Sequence, residues 1–299
     1  MPELPEVENL RRGLEKNIVG QRIQKVEVRK AKLVSGKGTI RPNSSKKSRE
    51  FESGLKDEIF EKVERRAKNL IFIFKSGKVI LAHLKMSGQF VYKGKIGKSS
   101  VIGGHPIELS EKQLPNKHTH IIFELEKGVL YYNDTRMFGY VLYYPSQELF
   151  NKENHFILYG LEPLDKEFTL EYFTEALKKK NTKIKSVLMD QKIVTGLGNI
   201  YVDESLFESR IRPDRSPASL KKNEVAALHK AILRILKRAI ELGGSSVATY
   251  RLLDETRGNY AREHKVYGKA GKKCPRCKKP LEKITIQSRT TIFCPNCQK

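Results

Sequence analysis

All four cysteines of the 299-residue chain lie between positions 274 and 297, as Cys274, Cys277, Cys294 and Cys297, two C-x2-C pairs with sixteen residues between them. Two thiolates so spaced reach one metal from a tight knuckle, and two knuckles at the ends of a hairpin complete a tetrahedral site. Pro275 and Pro295 each follow the first cysteine of a pair, which suits such a turn. The pattern points to one structural zinc ion (Zn2+) rather than disulfides, because four protein sulfurs leave no open position for chemistry. The stretch Ile284 to Phe293 then reads as a ribbon, with Gln287, Ser288, Arg289, Thr290 and Thr291 about its tip.

Upstream of the ribbon two periodicities divide the chain. Val7, Leu10, Leu14 and Ile18 mark one face of an N-terminal helix ended by Gly20. Strand-like runs follow at 23–28, 70–74, 79–84, 120–125, 129–132 and 140–144. Lys75-Ser76-Gly77-Lys78 and Glu126-Lys127-Gly128 are turn signals between neighbours. Strands joined by such short turns are antiparallel, so a β-sandwich or barrel is expected. The polar stretches 35–49 and 94–117 read as flexible loops, and the pattern breaks into a linker after Pro145. Helical periodicity then carries Leu170, Phe173 and Leu177, next Ile184 and Leu188, and then Val202, Leu206 and Phe207. A long helix bearing Val225, Leu228, Ile232, Ile235 and Ala239 stops at Gly243-Gly244. Residues 245–263 read as a loop, and no internal repeat is present.

Charge narrows the class of partner. Lys and Arg number 58 against 34 Asp and Glu, a net charge of +24. Such an excess attracts polyanions through counterion release, and nucleic acid leads that list. The segment 261–299 alone carries eleven Lys/Arg against two acids. No apolar run approaches the ~18 residues of a membrane span, and the start Met-Pro-Glu-Leu-Pro-Glu-Val-Glu has no apolar signal region. A cytoplasmic protein with no membrane partner is expected.

Several motifs, taken together, resemble the formamidopyrimidine-DNA glycosylase family. They are the start 2–8 (PELPEVE), Arg65-Arg66-Ala67-Lys68, His83-Leu84-Lys85-Met86-Ser87-Gly88, Asp134-Thr135-Arg136-Met137-Phe138-Gly139, Gly196-Leu197-Gly198-Asn199-Ile200-Tyr201, Gly243-Gly244-Ser245-Ser246 and the cysteine ribbon. They occur in family order over nearly the whole chain. The resemblance implies an α+β protein: an N-terminal helix plus antiparallel β-sandwich (1–145), a linker (146–167), a helix–two-turn–helix domain with a lesion loop (168–264) and a zinc ribbon (265–299). It implies a monomer in the cytoplasm, associated with the nucleoid through its partner, damaged double-stranded DNA. The implied activity is removal of oxidised purines, 8-oxoguanine and ring-opened formamidopyrimidines, followed by β,δ-elimination at the abasic site.

The resemblance also assigns residues. Pro2 is the nucleophile and Glu3 its proton partner. Lys68 contacts the phosphate beside the lesion and assists catalysis, and Arg289 grips phosphate during δ-elimination. His83, Lys185, Asn199 and Tyr201 are implied DNA contacts. Met86, Arg136 and Phe138 are implied to fill the void left by the flipped base, with Arg136 donating to the orphaned cytosine. Taken singly, Lys68 reads as a solvated lysine, His83 as a satisfied strand histidine, and Met86 and Phe138 as core residues. The chemistry stands independently for Pro2. Once Met1 is removed, Pro2 offers a secondary amine, and an α-amino group titrates near ~7.7–8, leaving a useful neutral fraction at pH 7. A secondary amine that attacks C1′ forms a cationic iminium, an electron sink for eliminating phosphate.

The chain departs from the family at several places. Thr135 and Met137 replace the Pro and second Arg of the common D-P-R-R-F-G form, and the stretches 35–49 and 94–117 are longer than usual. Thr249-Tyr250 of the lesion loop is kept, but Leu252-Leu253-Asp254-Glu255-Thr256 is not diagnostic. Two other readings stand beside the first. Endonuclease VIII, the sister enzyme for oxidised pyrimidines, usually begins PEGPE where this chain has Leu4. A non-catalytic nucleic-acid-binding protein has no use for a free N-terminal proline.

Overall fold

Apolar alternation between tight turns makes the first half of the chain a set of antiparallel strands. The computed structural model describes residues 1–38, 40–95, 99–104 (backbone alone), 114–178, 180–245 and 259–299. Helix α1 (Leu4–Ile18) buries Val7, Leu10, Leu14 and Ile18 along one face, and Gly20 at φ 82° follows its end. Strand β1 (Ile23–Val28) precedes helix α2 (Ser45–Leu55). Then come β2 (Phe60–Arg66), β3 (Asn69–Phe74), β4 (Val79–His83), β5 (Gly88–Gly94), β6 (Ser99–Gly104), β7 (Thr119–Leu125), β8 (Gly128–Asp134) and β9 (Tyr140–Tyr144).

These strands form two antiparallel sheets, ordered β1-β7-β8-β5-β6 and β2-β3-β4-β9. One apolar core lies between them. Phe72 of β3 meets Phe90 of β5 with ring centroids 5.5 Å apart, and Phe51 of α2 meets Phe123 of β7 at 6.0 Å. Two sheets over a shared core make a sandwich rather than a barrel. Part of the expected loop 35–49 is helical: Ser44 caps α2, its Oγ accepting the Lys47 N–H at 3.2 Å. The longer stretch 94–117 supplies β6, which pairs with β5; residues 105–113 lie outside the described residues.

The second half is helical. Helix α3 (Gln147–Lys152) falls inside the expected linker. It is followed by α4 (Leu170–Lys178), α5 (Ile184–Met189), α6 (Asn199–Glu208), α7 (Lys222–Glu241) and α8 (Tyr260–Glu263), and then by the ribbon strands β10 (Glu282–Ile286) and β11 (Arg289–Phe293). Helices α4 to α7 bury their apolar faces in a second core. The ribbon has a small core of Phe207, Val266, Leu281 and Ile292 around Cys274 and Cys294.

Contacts divide the chain into two compact units, Met1–His155 with Gly243–Asn259, and Phe156–Leu242 with Tyr260–Lys299. The division differs from the expected domains in that residues after α7 join the first unit. Ser246, Thr249-Tyr250 and Leu252 to Thr256 of the lesion loop fall outside the described residues. Among the described residues no helix is long and apolar enough to cross a membrane.

Candidate active site and nucleic-acid interface

The first turn of α1 fixes the N-terminus. Pro2 and Glu3 are buried, and Glu3 is the extended residue from which the helix starts. The Glu6 carboxylate holds this start from two sides. Its Oε2 accepts the Glu3 N–H at 2.8 Å, and its Oε1 accepts the Ser245 N–H at 2.8 Å. Gly244 is required for the second contact: it has φ 85°, and a Cβ there would sit 2.8 Å from Glu6 Oε1. The Gly243-Gly244-Ser245 motif is thus the seat of the carboxylate that positions Glu3. Glu6 was missed as a site residue, although a glutamate three places after a helix cap is a recognisable signal.

Lys68 lies in the two-residue turn between β2 and β3, closed by the Arg66–Asn69 pair. Ala67 takes φ 55° in that turn. Arg65 donates from Nη1 to the Ala67 carbonyl at 3.0 Å and from Nε to Glu8 Oε2 at 3.1 Å, so the Lys68 turn is tied to α1. The Lys68 side chain is largely buried rather than solvated. Its neighbour Asn69 pairs with His83 in β4, and His83 in turn pairs with Tyr140 in β9. His83 is buried, and its Nδ1 accepts the Lys85 N–H at 2.9 Å. Burial first, and then the charges of Lys85, Lys68 and Lys37, push its pKa down to about 3. His83 is therefore a neutral imidazole with its proton on Nε2, a donor suited to phosphate oxygen without being a cation.

Met86 and Phe138 are not core residues. They are 38% and 39% exposed, and the Arg136 guanidinium carbon stacks 4.6 Å from the Phe138 ring centroid. A buried carboxylate joins the two loops that carry them, Met86 between β4 and β5 and Phe138 between β8 and β9. Asp134 Oδ1 accepts from Ser87 Oγ and from the Arg136 N–H at 3.2 Å, while Oδ2 accepts the Gly139 N–H at 2.8 Å. Ser87 Oγ also accepts the Arg136 N–H at 3.1 Å, so Ser87, directly after Met86, belongs to the same network. Gly139 must be glycine, because a Cβ there would lie 1.9 Å from the Tyr132 hydroxyl. Met137, in place of the second arginine, packs against the sandwich core.

In the second unit, two of the expected DNA contacts turn out to be interior groups. Lys185 has no exposed surface. Its Nζ donates to Asp203 Oδ1 at 2.6 Å and to the Thr290 carbonyl at 3.2 Å. Tyr201 is also fully buried, its ring 5.7 Å from Tyr260. In the free protein Lys185 braces the ribbon and Tyr201 packs in the core. Asn199, the first residue of α6, donates from Nδ2 to the same Thr290 carbonyl at 3.0 Å. Beside that carbonyl, Arg289 is exposed at the start of β11. Gln287 and Ser288, at φ 46° and 58°, make the tight turn before it.

The adjacent carboxylates of α6 seat the ribbon at two points. Asp203 Oδ2 accepts the Ile292 N–H at 3.2 Å, and Glu204 accepts the N–H groups of Lys265, Val266 and Tyr267 at 2.8, 2.9 and 2.9 Å. Burial pushes the Asp203 carboxyl up to about 7, against the pull of the Lys185 ammonium. Removing the cation strands a buried acid. Lys185→Met is therefore expected to cost about 3–5 kcal/mol, measured by denaturant unfolding, with Lys185→Met/Asp203→Leu recovering much of the loss. A single variant as stable as the parent would contradict the assigned bracing role.

The cysteine knuckles meet the requirements of a metal. The four sulfurs lie within 4.8 Å of one another. The Cys274–Cys297 and Cys277–Cys294 separations of 3.9 and 3.5 Å are far too long for disulfides. They suit the edges of a tetrahedron with metal–sulfur bonds of about 2.3 Å. Cys274, Cys277, Cys294 and Cys297 would hold one zinc ion, whose contribution is to fold the ribbon.

Three family models match in the order of these elements. They are the formamidopyrimidine-DNA glycosylase N-terminal domain over residues 1–141, the H2TH domain of the same glycosylase over 159–251, and a zinc finger found in FPG and IleRS over 271–299. The chain is 39% identical over 303 residues to the formamidopyrimidine-DNA glycosylase of Streptococcus mutans, and 35% identical over 298 residues to that of Desulfitobacterium hafniense, with all of each chain covered. Solved structures of Lactococcus lactis Fpg are similar as well. The complex with abasic-site DNA matches at 35% identity and a TM-score of 0.83, covering 99% of both chains. The complex with DNA containing N7-benzyl-Fapy-dG matches at 35% identity and a TM-score of 0.83, covering all of both chains. With end-to-end similarity of sequence and fold, and with a glycine seat for Glu6, an exposed Arg136–Phe138 pair and a four-sulfur ribbon to account for its motifs, the chain belongs to the formamidopyrimidine-DNA glycosylase family.

Proposed function

We propose that this glycosylase excises oxidised purines, 8-oxoguanine and formamidopyrimidines, from duplex DNA through Pro2 and then nicks the strand by β,δ-elimination. The observation that carries the reading is the anchored N-terminus: Glu6 links Glu3 to the Gly244–Ser245 turn, holding Pro2 and Glu3 in place. With Met1 removed, the Pro2 nitrogen uses its lone pair to bond C1′ and gives up its own hydrogen as a proton to the Glu3 carboxylate. The glycosidic bond breaks with its electrons on the departing base, which takes up a proton. The C1′–O4′ bond then opens, Glu3 delivering a proton to O4′, and a Pro2–C1′ iminium remains. That cation acidifies the C2′ hydrogen. Loss of the C2′ proton expels the 3′ phosphate, and a second elimination expels the 5′ phosphate.

The remaining groups position the DNA. Lys68 and neutral His83 take phosphate beside the lesion. Met86, Arg136 and Phe138 occupy the space of the extruded nucleotide, where apolar wedges stabilise a kinked stack. Arg289 and Asn199 hold phosphate from the second unit, with Lys185 bracing the tip that carries Arg289. The enzyme acts as a monomer in the cytoplasm, associated with the nucleoid through DNA.

The test uses duplexes carrying one 8-oxoguanine opposite cytosine, or one oxidised pyrimidine opposite its ordinary partner. Faster cutting of the first, leaving phosphate on both ends of a one-nucleotide gap, is expected. Preference for the pyrimidine lesion, or binding without cutting, would overturn the reading.

A further inference from the structure

The polar segment after β1, longer than is usual in the family, carries an arginine that reaches the loop bearing Arg136 and Phe138. Arg41 donates from Nη1 to the Gly139 carbonyl and from Nη2 to the Met137 carbonyl, across 98 and 96 residues of sequence. These two carbonyls belong to the irregular connection between β8 and β9, where Met137 sits at φ 53° and no strand ladder supplies donors. The two ends of the planar fork meet two carbonyls at once in a fixed geometry, which a freely rotating ammonium holds less firmly.

The loop is thereby held from both polarities of its backbone. Asp134 accepts the N–H groups of Arg136 and Gly139, and Arg41 donates to the carbonyls of Met137 and Gly139. Holding Arg41 in this place has a cost that points to a role. Its Nε is buried without a partner, and desolvation, only partly offset by Tyr132 and Asp134, lowers its pKa. Met137 packs its side chain against the core, and its carbonyl is met by an arginine from another segment.

We propose that Arg41 is a positioning residue that fixes the Arg136–Phe138 loop before DNA arrives, and so sets discrimination of the base opposite the lesion. The proposal rests on the void-filling reading of Arg136 and Phe138, but its first test does not. The chain contains no tryptophan, so Phe138→Trp places a single reporter on the loop. In free, folded protein, Arg41→Ala in that background is expected to raise acrylamide quenching of the tryptophan about twofold. Arg41→Lys is expected to be quenched more than the parent and less than Arg41→Ala, since a rotating ammonium holds the two carbonyls less firmly than the fixed guanidinium fork. Quenching equal to the parent in Arg41→Ala overturns the positioning role, whatever Arg136 does.

The second test reads function. In the native background, Arg41→Ala is expected to lower the preference for cytosine over adenine opposite 8-oxoguanine by about tenfold, the scale of losing a charge-assisted hydrogen bond. Arg41→Ala/Arg136→Ala is expected to be no worse than Arg136→Ala alone, because the two act through one element. Full discrimination in Arg41→Ala, or losses that multiply in the double variant, overturns the role in base choice. Full discrimination in Arg136→Ala removes the void-filling reading and, with it, the claim on base choice, while the tryptophan result still decides whether Arg41 holds the loop.

Discussion

A form of this protein with one extra residue ahead of Pro2, or with Met1 retained, is expected to bind lesion-containing duplex DNA and leave it uncut. The effect is large because one atom changes character. As an N-terminal secondary amine, the Pro2 nitrogen has a lone pair, with an ordinary α-amino pKa near ~7.7–8. Inside a peptide bond that pair is delocalised into the carbonyl, and no iminium can form. Strand cutting should fall by a factor on the order of a thousand or more, the scale seen when a nucleophile is removed outright. DNA affinity should change little, since Arg136, Phe138, Asn199 and Arg289 are untouched. Gel-shift titration beside single-turnover cutting separates the two quantities. Near-parental cutting by the blocked form would show that another group attacks the sugar.

Cys274→Ala is expected to have the second largest effect, this time on binding. Cys274 is buried in the ribbon's small core, beside Cys294, Leu281 and Ile292. Structural zinc contributes an apparent ~10–16 kcal/mol to small metal-folded modules, more than so small an apolar core replaces. Without it the strands β10 and β11 have little to hold their register. The Ile292 N–H then leaves Asp203, the Thr290 carbonyl leaves Lys185 and Asn199, and Arg289 loses its fixed place. A variant that releases its metal should therefore lose DNA affinity by roughly a hundredfold at moderate salt, with a shallower dependence on salt because fewer phosphates are neutralised. Metal content by a chelating dye and affinity by titration check both parts. Unchanged affinity in a metal-free protein would contradict the argument.

Local signals were sufficient where burial and turn chemistry agree. The strand pair β3–β4 is bracketed by Lys75-Ser76-Gly77-Lys78, and α1 ends just before Gly20. The ribbon follows from its cysteines alone. Strand β2 leaves no such signal, because only Phe60 and Val63 are buried and an irregularity between Phe60 and Lys62 breaks the two-residue alternation. Helix α2 was hidden in a polar stretch for a similar reason. It buries Phe51 and Leu55, and the rest of its sequence is charged or small.

Charged residues that fold inward leave no local trace. Lys185 reads as a surface contact, yet it is paired with Asp203 in the interior, and neither position breaks any pattern in the sequence. The same holds for Glu204, whose partners lie about sixty residues downstream. Met86 and Phe138 err in the opposite direction. Composition alone places them in the core, whereas the structure leaves them standing out from two loops pinned by Asp134. Motif resemblance located these residues. Only the fold shows why Gly139 and Ser87 accompany them: the first removes a clash, and the second shares the carboxylate that orders the loops.

The central claim is that the Pro2 nitrogen becomes covalently bound to the sugar during the reaction. Borohydride added to the enzyme turning over on an 8-oxoguanine duplex should reduce the iminium to a stable protein–DNA adduct, and digestion followed by mass spectrometry should map that adduct to Pro2. Glu3→Gln should still be trapped on a preformed abasic site while failing to remove the base, which separates its proton role from that of the nucleophile. An adduct on Lys68, or efficient trapping by a protein whose Pro2 is acylated, would contradict the account.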